Sequence, residues 1–211
     1  IVRWEETVNN IEIDLKENIK DIVPVELNSE IDGSEHFSII ENKKIKVYKN
    51  SGKLIDELKA FEDSEGDIEL FFNEEKSDII ALKEKEDKII FKIWNIDQTD
   101  KLQAKDSLPI IADSLTSNPI LSAQDELIFG FSKNSESYYG NIDINNVTYS
   151  YSDIDEPIRA IAGNDNNYLL CNNSLRKTEA LDEKIVDFSE KIDNDKETKI
   201  LVGNIDNNDK K

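Results

Sequence analysis

The chain has 211 residues, with 46 Asp and Glu against 26 Lys and Arg, for a net charge of −20. That balance disfavours a broad nucleic-acid footprint, which needs clustered Lys and Arg, and docking on an anionic membrane; it suits solubility and attraction to a basic protein partner. The single cysteine, Cys171, permits no intrachain disulfide and points to a reducing, intracellular compartment, and no apolar run approaches the roughly 18 residues of a membrane span.

In chain order, Ile1-Val2-Arg3-Trp4 reads as the tail of a strand belonging to a unit upstream, and Ile22 to Leu27 as the first complete strand. A hairpin follows: Phe37 to Ile40, a turn at Asn42-Lys43, then Lys44 to Tyr48, where polar and apolar residues alternate as in a half-buried strand. Ser51-Gly52 turns the chain into an outer strand, Lys53 to Leu58. The pattern restarts with Asp67 to Phe72, Ile79 to Leu82, a turn ending at Asp87-Lys88, and Ile89 to Trp94. A third unit reads as Leu108 to Ala112, Ile120 to Ala123, a turn at Asp125-Glu126, and Leu127 to Phe131, with Asn141 to Ile144 and Thr148 to Tyr151 as outer strands. A fourth reads as Pro157 to Ala162, Tyr168 to Cys171, Asn172-Asn173, and Ser174 to Lys177. Lys184 to Ser189 and Lys199 to Asn204 look like a fifth unit begun and not finished. The windows 53–61 and 174–184 have some helical propensity but no long apolar stripe.

The turn positions 42, 87, 125 and 173 lie 45, 38 and 48 residues apart. Short strands repeating at that period predict an all-β chain, a β-propeller of antiparallel blades. The expected propeller segment is 1–205, with units at 20–60, 66–104, 107–152 and 156–182, a partial blade at 184–204, and a polar tail at 205–211. Four units with ragged ends lead us to expect an incomplete ring, and a first residue Ile1 with no methionine anywhere leads us to expect a fragment, a processed chain or the ordered part of a longer protein.

The stretch Asp67 to Lys101 resembles a WD40 repeat: Asp87-Lys88 stands at the tight turn before Ile89 to Trp94, and Ile93-Trp94-Asn95 is similar to the terminal Trp-Asp pair with Asn in place of Asp. Val47-Tyr48-Lys49 with Ser51 to Leu54 resembles the same segment one blade earlier. The Gly-His dipeptide of that family is absent from every unit, so its hydrogen-bond network is not expected. Gly33 to His36, and Phe129 to Asn134 with Pro157 and Ala162-Gly163, resemble pieces of chromosome-condensation-regulator repeats, which also build propellers. Either resemblance implies a propeller; the WD40 type implies a scaffold that presents loops and blade edges to protein partners in a nuclear or cytoplasmic setting, and the rival implies a regulator or exchange-factor-like partner.

Sequence chemistry points the same way. One His and one Cys supply no metal cluster, and no nucleophile elbow, phosphate loop or dinucleotide fingerprint occurs. We therefore expect no enzyme activity, no cofactor, and no catalytic or metal-binding residue; an acid-lined propeller channel is the enzyme alternative. His36 reads as a structural or exposed histidine, Cys171 as a buried apolar residue, Trp94 as core, and the acid pairs Glu84/Glu86 and Asp193/Asp195 as products of an acid-rich composition. Asn146-Val147-Thr148 and Asn172-Asn173-Ser174 are formal glycosylation sequons that we expect to arise by chance. Tyr138 and Tyr139, beside the Ser-rich stretch Ser132 to Ser137, are the candidate interaction residues, expected in a loop.

Overall fold

The computed structural model describes residues 19–25, 36–41, 43–49, 51–74, 76–163 and 167–188. These residues form seventeen strands and no helix. The strands are β1 (Ile19–Val25), β2 (His36–Glu41), β3 (Lys44–Lys49), β4 (Leu54–Lys59), β5 (Ile68–Asn73), β6 (Asp78–Lys85), β7 (Lys88–Ile96), β8 (Leu102–Ile111), β9 (Ser114–Leu115) and β10 (Ile120–Leu121). They continue with β11 (Glu126–Lys133), β12 (Glu136–Asp143), β13 (Thr148–Ile154), β14 (Ile158–Gly163), β15 (Asn167–Cys171), β16 (Ser174–Lys177) and β17 (Ala180–Asp187). They assemble as four sheets in strict chain order: β1-β2-β3-β4, β5-β6-β7-β8, β10-β11-β12-β13 with β9 also on β11, and β14-β15-β16-β17. Four successive up-and-down antiparallel sheets are the blades of a β-propeller-type fold.

By internal contacts the chain falls into two units: residues 1–83 with Phe91–Ser107, and Glu84–Ile90 with Leu108–Lys211. In the first unit, Ile45 and Val47 alternate with lysines, and β2 buries Ile39 and Ile40. The β2–β3 hairpin keeps perfect register from His36↔Lys49 to Glu41↔Lys44. Trp94 is 2% exposed and meets the edge of Phe61 at 6.1 Å. Asn95, at the position of the aspartate in a Trp-Asp pair, donates to Asp78 Oδ1 at 2.9 Å and to the Lys76 carbonyl. Lys105 reaches the other oxygen of this fully buried Asp78 at 3.0 Å. Carboxylates also tie the blades of this unit: Asp21 accepts from Leu70 N and Asp56 from Leu102 N.

In the second unit, Ile128, Tyr139, Ile154, Ile158, Ile161, Leu169 and Cys171 make one core. Beside it lies a polar network: Arg176, 3% exposed, pairs with Glu156 and Asp155, and Glu156 also accepts from Ser174 Oγ and Asn173 N. A buried charge held this way has its hydrogen-bonding groups occupied, as burial requires.

Several expected elements are corrected. Leu108–Ile111 does not open the third blade; it ends β8, a ten-residue outer strand. The inner strand of that blade is split into β9 and β10, which pair with opposite ends of β11 at Phe131↔Leu115 and Ile120↔Ile128. The turn between the second and third strands of this blade is Asn134-Ser135, not Asp125-Glu126. Both of its residues have positive φ, 52° and 65°, the type I′ geometry that matches strand twist in a two-residue hairpin. Lys184 to Asp187 begins no fifth blade; it completes β17, paired irregularly with β16. Both windows of helical propensity contain strands, because pairing within a sheet overrides weak local preference. Ile1 to Trp4, Lys199 to Asn204 and the 205–211 tail lie outside the described residues.

Candidate functional site

Strand geometry sorts the third sheet into two faces, because successive side chains point to opposite sides. Register places Phe131 opposite Tyr138, Phe129 opposite Gly140, and Leu127 opposite Ile142. On the next strand Tyr138 faces Asp153, Gly140 faces Tyr151 and Ile142 faces Tyr149. One face therefore carries Phe129, Phe131, Tyr138, Tyr149 and Tyr151 as a continuous aromatic cluster. Phe131 stacks on Tyr138 at 5.1 Å and 17°, and Tyr149 on Tyr151 at 5.5 Å and 22°. Tyr151 meets Tyr138 edge-on at 5.5 Å. Aromatic pairs in these offset or T-shaped arrangements contribute about 0.5–1.5 kcal/mol beyond their burial.

A shallow cleft of about 240 Å³ opens on this face. Pro109, Ile110 and Ile111 line it from β8, Phe131 and Lys133 from β11, and Tyr149 and Tyr151 from β13. Ile111 is 71% exposed and Tyr151 52%. Glu136 and Asp153 stand on the same face as the cleft, both exposed. The Tyr138 hydroxyl donates to Glu136 Oε2 at 2.7 Å. This bond favours the neutral phenol, and with some burial and the nearby charges of Glu136 and Asp153 it pushes the Tyr138 pKa up to about 12. Burial, then the neighbouring Tyr151 and Tyr138, also raises Tyr149.

The two adjacent tyrosines point to opposite faces of the sheet. Both lie in β12 rather than in a loop. Tyr138 belongs to the aromatic face, its ring covered by Phe131 and Tyr151. Tyr139 points the other way into the core with Ile158 and Leu169, its hydroxyl bonded to the Thr178 side chain, and burial pushes its pKa up to about 12. The structure adds Tyr149, Tyr151 and Ile111 to the candidate surface. Thr148 to Tyr151 reads as a strand, and its alternation of tyrosine with Thr and Ser is the signal that could have shown an aromatic face; nothing in the sequence places Ile111 beside it.

The remaining candidates have structural surroundings. His36 is buried at the start of β2, its Nε2 without a hydrogen-bond partner; burial, then Lys49, lowers its pKa against the pull of Asp100. The Cys171 thiol is fully buried and desolvation raises it to about 11. Glu84 accepts from Leu115 N at 2.9 Å and so fixes the start of the third blade, while Glu86 occupies the β6–β7 turn. Asp193 and Asp195 lie outside the described residues. Of the sequons, Asn146 is exposed, whereas Ser174 is fully buried on Glu156. Among the described residues no group of three or more His, Cys, Asp or Glu is arranged to hold a metal ion, and no helix is long and apolar enough to cross a membrane.

No family model matches the sequence, and no curated protein matches it. Among solved structures, the Nup133 β-propeller domain of Vanderwaltozyma polyspora is similar at 11% identity and a TM-score of 0.42, over 81% of this chain and 57% of that one. The Dos1 propeller is similar at 14% identity and a TM-score of 0.49, over 81% of this chain and 50% of that one. The chain thus spans about half the length of each. The assignment to propeller blades rests on the four sheets themselves.

Proposed function

We propose that this chain is a non-enzymatic scaffold of propeller blades that docks a protein partner through the aromatic face of β11–β13, within a larger intracellular complex. One observation carries the reading: Ile111, largely exposed, and Tyr151, half exposed, flank an apolar cleft floored by a stacked aromatic cluster. Single exposed apolar residues are ordinary, whereas an exposed apolar patch with polar rim residues favours an interaction surface. Tyrosines suit such a surface because they offer large contact area with few rotamers to immobilise. The acidic balance of the chain favours a basic partner. The wider assignment, to a ribonucleoprotein or RNA-modification assembly in nucleus or cytoplasm, rests on fold-level analogy.

Photo-crosslinking tests the surface. A benzophenone amino acid at position 111 or 151 should crosslink the chains that co-purify with the protein, and one at exposed Lys53 should not. Equal crosslinking from all three positions removes the reading.

A further inference from the structure

The rim of the aromatic cleft carries a chemical bias that the apolar floor does not. Glu136 and Asp153 lie on the cleft face, one opposite Lys133 and the other opposite Tyr138. The Tyr138 hydroxyl occupies one oxygen of Glu136; a carboxylate has about four acceptor positions in all, so capacity remains. Tyr151 presents a half-exposed ring backed by Tyr149. Its neighbour on the same face, Asp153, is two residues on, roughly 6.6 Å along the strand. An exposed aromatic plane with a carboxylate that close is the pairing a guanidinium satisfies: its flat face stacks on the ring while its edge N–H groups donate to the acid. Lys133 is the one base lining the cleft, and it stands across from Glu136.

We propose that the cleft takes an arginine-bearing apolar segment of the partner protein, an aliphatic side chain entering between Ile111 and Phe131 and an arginine stacking on Tyr151 toward Asp153 and Glu136. This rests on the docking surface proposed above and names the chemistry of its occupant. Charge complementarity selects that occupant: the chain carries −20 overall, and the carboxylates of Glu136 and Asp153 share the sheet face with Lys133, the charged residue that lines the cleft. A single-stranded nucleic acid, which also stacks on aromatic rings, needs a positively charged groove.

The test uses fluorescence anisotropy with the 211-residue chain and three labelled synthetic peptides that alternate leucine with arginine, lysine or glutamate. The arginine peptide should bind best, the lysine peptide severalfold more weakly, and the glutamate peptide not detectably. Tyr151→Ala should weaken the arginine peptide about five- to tenfold, and Asp153→Asn should weaken it and flatten its salt dependence. Tyr151 is half exposed, so a thermal melt should show both variants folded. Tyr151→Phe should bind like the parent, which separates stacking from loss of a hydroxyl.

Equal binding of all three peptides, or arginine-peptide binding unchanged by Tyr151→Ala, overturns the inference. So does preferential binding of a labelled oligothymidine, or a dimer in sedimentation velocity that Tyr151→Ala dissociates. The two proposals fail separately: if the arginine peptide does not bind while crosslinking stays confined to positions 111 and 151, the docking surface stands and the arginine assignment falls.

Discussion

Gly140 sits in the middle of β12, directly across from Phe129, and the ring of Phe129 lies over it. A Cβ built on Gly140 would stand 2.7 Å, 2.8 Å and 3.2 Å from three atoms of that ring. Ordinary carbon contact begins at about 3.5 Å, so Gly140→Ala requires the ring to retreat by nearly an ångström. Retreat is obstructed, since Phe129 is fully buried, stacked on Tyr149 at 6.4 Å and against Phe131 at 5.8 Å. Overpacking of this kind costs about 1–3 kcal/mol. Replacing glycine by alanine returns about 0.4–1 kcal/mol through the unfolded chain, which leaves a net loss of roughly 1–2 kcal/mol. Urea denaturation should show it as a lower midpoint at unchanged slope. The double variant Gly140→Ala with Phe129→Leu should be more stable than the sum of its parts, because the shorter side chain vacates the space the methyl group needs. A neutral or stabilising Gly140→Ala, or strict additivity of the pair, refutes the packing argument and the rigidity it implies for the aromatic face.

Three further outcomes follow from buried groups. Trp94→Ala should cost about 3–5 kcal/mol, since the indole is 2% exposed against Phe61; a urea midpoint equal to the parent's would show that the first unit does not depend on it. Burial opposes ionisation of Glu156, but hydrogen bonds from Ser174, Arg176 and Asn173 outweigh it and hold its pKa below the ordinary value. Its stabilisation is therefore complete above the unfolded value near 4.3 and is lost as pH falls through the folded value. Melting temperature should drop more steeply with acid in the parent than in Glu156→Gln, and parallel profiles would contradict this. Glu136→Gln should bring the Tyr138 phenol, now at about 12, back toward the usual value near 10, as read by ultraviolet titration against the parent; an unchanged curve removes Glu136 as the cause.

Blade repetition was legible wherever hydrophobic alternation was strong. Lys44-Ile45-Lys46-Val47 gives away its strand and faces by alternation, and Ile89 to Trp94, apolar on both faces, gives away its strand alone; both lie where expected. The third blade slipped by one strand because its turn, Asn134-Ser135, lacks the glycine that marks a type I′ hairpin, and because the flanking Ser132 to Ser137 is polar. Outer strands were the hardest to see. Gln103 to Ser107 in β8 and Asp182 to Lys184 in β17 are largely exposed, so no apolar period betrays them. The candidate surface is half legible: Tyr138 stands out as a residue type, but its separation from Tyr139 and its union with Tyr149, Tyr151 and Ile111 depend on register between strands.

The joint between the first two sheets is fastened at both ends. Ala60 N and Phe61 N donate to the Lys43 carbonyl at 2.7 Å and 3.1 Å on the first sheet. From the second, Lys92 donates to the Ala60 carbonyl at 2.8 Å, and Lys83, almost fully buried, pairs with Asp63. The two ammonium groups lie 5.0 Å and 5.1 Å from the centroid of the Phe61 ring. Four residues of connector thus behave as a rivet, not as a hinge. Stretched between Ile19 and Leu102 in an optical trap, the two sheets should yield in one step, and two separate steps would show that the connector is a hinge after all.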